Sequence, residues 1–119
     1  MKAKVYFHYM GDVKMLSQLA AKNYQQNIVN TADPIKLVLI AYDRAILGCR
    51  KRNIEMAGMA ILELIKGLNM EAGTISYSLL AIYQYCGELI RKGQYDEVAS
   101  MLSELRDTWA EAGRKMISN

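Results

Sequence analysis

The sequence predicts an all-α fold: an antiparallel four-helix bundle with a short extra N-terminal helix. Three observations lead there. Four segments repeat apolar residues at helical spacing; a single proline, Pro34, interrupts 119 residues; and β-branched runs of the kind that build sheets are few. The length fits one domain with a real core. We divide the chain into an N-terminal extension, residues 1–14, and one helical-bundle domain, residues 15–119.

In residues 1–14 the run KAKVYFHY roughly alternates and has no helix cap, so it reads as an extension or a weak strand, with Met15 an alternative start. Leu16, Leu19, Ala20 and Tyr24 then make one face of the short N-terminal helix. The first main helix has a defined beginning. Asp33 is an N-cap acceptor, and Pro34 suits the first helical position, where its missing N–H costs nothing. From there Ile35, Val38, Leu39, Tyr42, Ala45, Ile46 and Cys49 form a core-facing stripe. Leu37, Ile40, Ala41 and Leu47 are left on other faces. Such a surplus fits either a central helix buried on two sides or a groove that receives an apolar partner.

The second helix is expected from about Ile54 to Met70, with Ile54, Ala57, Ile61, Ile65 and Leu68 on its stripe and Met59 and Leu62 widening it. Gly73 should end that segment and Thr74 cap the next. The third helix carries Ile75, Leu79, Ile82, Tyr83, Cys86, Leu89 and Ile90 before Gly93 stops it. The fourth, from about Asp96 to Met116, repeats the pattern with Val98, Met101, Leu102, Leu105, Trp109 and Ala112. Short connections between four such stripes give antiparallel neighbours.

A formal charge of +3 is mild. Arg50, Lys51 and Arg52 form the tight basic cluster, at a helix end where cations suit the dipole. No basic stripe is interleaved with aromatics, so no nucleic-acid partner is expected. No apolar run approaches the ~20 residues that span a bilayer, and the N-terminus lacks a signal-peptide pattern, so the expected location is cytoplasmic without membrane insertion. Cys49 and Cys86 lie on apolar faces without metal-ligand spacing and read as reduced core residues. Met56, Met59, Met70, Met101 and Met116 fall in the expected helices, where flexible thioethers repack readily against varied apolar partners.

Catalysis has little to stand on. His8 is the sole histidine and has no acid or nucleophile at a telling spacing. No phosphate loop or ligand cluster implies a cofactor or metal. Arg44, Glu63, Glu88 and Arg106 read as surface charges. The chain is not expected to be an enzyme.

YQQNIVNTADPIKLVLIAYDRAI, residues 24–46, resembles the start of the FliS family of flagellar export chaperones, with its Tyr-x-x-Asn…Val-x-Thr-Ala-x-Pro…Leu-Tyr-Asp pattern. AILELIKGLN, LLAIYQYCGELIRKGQYDE and LSELRDTW follow in the order that family shows, so that the resemblance spans roughly residues 22–112. It implies a helical bundle that binds the disordered C-terminal segment of flagellin, prevents premature polymerisation and hands the client to the flagellar export gate. It also implies Tyr24, Asn27, Thr31, Leu37, Ile40 and Tyr42 as client-contact or groove-forming residues. Beside these roles Thr31 has a capping reading and Tyr42 a core-filling one.

Ala41 stands where the family usually has Leu, and Arg44 where a small residue is usual. The stretch from Tyr42 to Leu68 is also shorter than typical by about a dozen residues, roughly two turns from each of two paired helices. Removing equal lengths at a shared hairpin preserves the pairing but shortens any groove along it. A chaperone for a different secreted filament subunit and a self-associating adaptor, including a weak homodimer, remain the alternatives.

Overall fold

The structure, a computed structural model, describes residues 34–118. The expectations for the residues 1–14 extension, the short N-terminal helix, the Asp33 cap, Tyr24, Asn27 and Thr31 lie outside the described residues. Among the described residues four helices are present: α1 (Pro34–Arg50), α2 (Ile54–Lys66), α3 (Thr74–Arg91) and α4 (Tyr95–Ser118), with a 3-10 turn at Met70–Ala72 before α3. Among the described residues there is no strand. α1 packs against α2 and α4, and α3 packs against the same two helices, closing a ring around one core.

The α1 stripe is the one its spacing predicts. Ile35, Tyr42, Ala45, Ile46 and Cys49 are buried, and Val38 and Leu39 pack against the core from its margin. Leu37, Ile40 and Leu47 remain exposed. The chain then reverses within Lys51, Arg52 and Asn53. Arg52 takes a left-handed backbone (φ 53°), the usual device for leaving a helix. Asn53 opens α2 by accepting the Met56 N–H on Oδ1 at 3.1 Å.

On α2 the structure departs from the expected stripe. Its buried residues are Ala57, Ala60, Ile61 and Leu64, whereas Ile54 is exposed and Ile65 and Leu68 only border the core. The reason is the close approach of α1: a Cβ on Gly48 would lie 2.5 Å from the Ala57 backbone nitrogen. At that separation only small side chains fit between the helices, so the alanine side turns inward. The bulkier Ile54, Met59 and Leu62 are left facing out.

α2 also ends earlier than expected. The Gly67 N–H bonds to the Glu63 and Ile65 carbonyls, and Asn69 then caps the 3-10 turn by accepting the Glu71 N–H. Gly73 is the N-cap of α3, with no side-chain capping bond, so the expected Thr74 cap is not made. At φ 70°, ψ −128° Gly73 occupies backbone space essentially reserved for glycine. The buried Ser76 hydroxyl donates to the Asn69 carbonyl and ties the connection to α3.

α3 buries Leu79, Ile82, Tyr83, Cys86, Leu89 and Ile90 as predicted, with Ile75 only partly covered. All six residues predicted for the α4 stripe are buried. Arg44, Glu63 and Glu88 are exposed, in keeping with surface charges. Arg106 is instead half-buried and reaches across to α1, its Nε 2.8 Å from Asp43 Oδ1. The Asp43 bond raises the Arg106 pKa further. Because the two side chains are 35% and 55% exposed, solvent screens the pair; Arg106→Ala should cost less than about 1 kcal/mol in urea unfolding, shrinking further at high salt.

The two thiols behave as core groups. Burial pushes Cys49 up to about 11, helped by the Asp96 charge, and Cys86 up to about 12, helped by Cys49 and Glu97. In the unfolded chain both ionise near 9.0. Between about pH 9 and 12 the unfolded state therefore holds fewer thiol protons than the folded one, and stability falls as pH rises through that window. The nucleophile is the thiolate. Iodoacetamide labelling at pH 8 should accordingly track global unfolding, and unfolding midpoints should drop above about pH 9.

Candidate functional site

Two apolar grooves flank α2. The first, about 360 Å³, lies between α1 and the C-terminal half of α2. Leu37, Val38 and Ala41 form one wall, Leu64 and Leu68 the other, and the buried Tyr83 and Trp109 the floor. Glu63 and Lys66 stand at its edge. The second, about 720 Å³, runs between α2 and α3. Ile54, Met59, Leu62 and Ile65 line its α2 side, and the first three of these are at least half exposed.

Two mid-helix glycines open this second groove: Gly58 from α2 and Gly87 from α3. A Cβ on either would meet nothing within 4 Å. An interior helical glycine costs roughly 1 kcal/mol relative to alanine, and here no packing constraint demands it. What the glycines provide is open space above bare backbone. Glu55, Glu88 and Arg91 rim the same groove, leaving an apolar trough with charged margins.

The residues singled out from sequence separate cleanly. Leu37 is 61% exposed on the wall of the first groove. Ile40 is exposed on the same helix but lines neither groove. Tyr42 is fully buried, so its core-filling reading is the one that fits its position. Its ring meets Tyr83 edge-on, with centroids 6.2 Å apart and planes at 67°, and the two hydroxyls are 2.6 Å apart.

Sequence reasoning did not single out Tyr83, Gly58 or Gly87 as groove residues. A signal existed for the glycines, because an unexplained glycine inside a helical pattern calls for a packing or binding reason. For Ile54 and Leu62 the signal was masked by assigning them to the core. The chemistry these grooves offer is apolar burial with a few charges for orientation. Among the described residues no group of His, Cys, Asp and Glu is arranged to hold a metal ion. No helix among them is long and apolar enough to cross a membrane.

Comparison with known proteins gives one family match: the model described as flagellar protein FliS covers residues 47–116, from the last turn of α1 into α4. Both walls of the second groove fall within it, as do Tyr83 and Trp109, whereas Leu37 and Tyr42 precede it. No curated protein and no solved structure matches.

Proposed function

The chain belongs to the FliS family of flagellar proteins, and from that premise we propose that it is a cytoplasmic export chaperone for flagellin. In this reading residues 15–119 form one chaperone domain, an antiparallel bundle. It binds the disordered C-terminal segment of flagellin, prevents premature polymerisation and passes the client to the flagellar export apparatus. The observation that carries the proposal is the pair of apolar grooves beside α2, joined to family membership. Leu37, Ile54, Met59 and Leu62 are exposed along them, a surface that needs a partner rather than solvent.

The physics is that of coupled folding and binding. A disordered segment that buries apolar side chains along both grooves loses conformational entropy, and the buried area offsets that cost. Ordering the client on the chaperone removes the amphipathic faces that would otherwise pair with other flagellin molecules. The family resemblance adds Tyr24, Asn27 and Thr31, which lie outside the described residues, as client contacts, together with Leu37 on the first groove and the exposed Ile40. Tyr42 is buried and lines neither groove, so in this reading it supports the groove from the core rather than touching the client. Ala41 and Arg44, which depart from the family pattern, favour a client footprint of this chain's own and keep another secreted filament subunit as the second reading.

Calorimetry with a flagellin C-terminal peptide should show binding near one to one with a negative heat-capacity change, and circular dichroism a gain of helix. Leu37→Glu and Leu62→Glu each place a charge where the client buries apolar atoms and should weaken binding at least about tenfold, the effect of 1.4 kcal/mol. Both positions are exposed, so the fold should survive. Peptide binding absent at tens of micromolar, together with a concentration-independent dimer in sedimentation, would replace the chaperone reading by that of a self-associating adaptor.

A further inference from the structure

Tyr83 lines both grooves. Among the described residues it is the one residue common to both linings. Only 1% of it is exposed, and its hydroxyl is bonded to that of Tyr42. We propose that Tyr42 is a positioning residue for both grooves: through its hydroxyl it holds the Tyr83 ring in place, and so sets the depth of each groove without touching a client. This rests on the grooves being the client site.

Tyr42 belongs to α1 and Tyr83 to α3, helices whose main packing partners are α2 and α4 rather than each other. The hydroxyl bond is therefore a tie across the core. Both rings are almost completely inaccessible, so a tilt of Tyr83 toward either groove would pull its hydroxyl off Tyr42 in an environment where water cannot replace it. The edge-to-face contact fixes the ring plane as well. With both constraints the floor has one position, and a client meets two grooves whose depths are set in advance.

The test compares Tyr42→Phe, Tyr83→Phe and the double variant in the full chain, by methyl resonances of the free protein and by titration with a flagellin C-terminal peptide. Ile65 reports on the second groove and Leu68 on the first. Each single variant should move both methyl signals, and Tyr42→Phe should raise the peptide Kd about tenfold, as expected for loss of a coupled buried interaction. The double variant discriminates. It removes both members of the bond together, so it should lose less stability than the two single variants summed, while its methyl shifts and raised Kd should persist because the tie is gone. Recovery of Kd and methyl positions in the double variant would overturn the proposal, since the bond would then serve only to satisfy two buried hydroxyls. Methyl signals unmoved by Tyr42→Phe, or moved at Leu68 alone, would overturn it too. A wild-type chain that does not bind the peptide would sink the flagellin reading instead, and the methyl comparison would still decide whether Tyr42 sets the floor.

Discussion

Gly48→Ala should destabilise the protein by about 3 kcal/mol, the upper end of ordinary overpacking, although the same change in an open helix interior gains roughly 1 kcal/mol. The added Cβ would lie 2.5 Å from the Ala57 nitrogen and 2.9 Å from its Cα. Both are backbone atoms, so no rotamer change relieves the overlap. α1 and α2 must separate, yet only three residues join them, Lys51 to Asn53. The Asn53 N–H donates to the Gly48 carbonyl at 2.8 Å, and the Asn53 side chain caps α2. Separation would strain that hydrogen bond and the cap together. Gly87→Ala is the control: its Cβ meets nothing within 4 Å, so stability should rise by up to about 1 kcal/mol while peptide binding weakens as the second groove fills. Urea unfolding followed by far-ultraviolet dichroism reads both. A Gly48→Ala protein as stable as the parent would mean that the two helices do not approach as described.

The same close approach explains where sequence reasoning stopped. Helix identity was legible because each of the four stripes is periodic and because Pro34, Gly73 and Gly93 punctuate them, whereas the earlier stop at Gly67 was not read. The α4 stripe was legible, its six expected residues from Val98 to Ala112 all buried, although Ala99 joins the core beside them. The inward face of α2 was not, because its periodicity is nearly degenerate. Ala57 and Ile61 of the expected stripe are buried, but Ile54 and Ile65 outweigh Ala60 on any hydrophobicity scale, and what turns the alanine side inward is a steric fact about Gly48 on another helix. Candidate site residues suffered similarly. Leu37 is exposed on a groove wall because α1 has more apolar residues than one core absorbs, which its own sequence reveals. That Tyr83 underlies both grooves depends on how α3 is rotated against α1 and α2, and no local pattern encodes that.

Trp109→Ala should cost about 3–5 kcal/mol. The ring is 1% exposed on the α4 stripe, between Leu105 and Ala112, and it also floors the first groove beside Tyr83. That position decides where in the range the effect falls. A cavity sealed in the core would stay empty and carry the full penalty, whereas one opening under a 360 Å³ groove admits water and lets Leu68 settle inward, so the lower end is expected. About 3 kcal/mol still lowers the melting temperature by roughly 10 °C or more in a domain of this size. Trp109 is the only tryptophan, so unfolding must be followed by dichroism rather than intrinsic fluorescence. Trp109→Phe supplies the comparison: it keeps an aromatic floor, should retain most of the stability, and should bind the flagellin peptide more weakly than the parent by less than Trp109→Ala does. If Trp109→Ala instead melts with the parent and loses only peptide binding, the ring belongs to the client interface and not to the core, and the α4 stripe would have to end at Leu105.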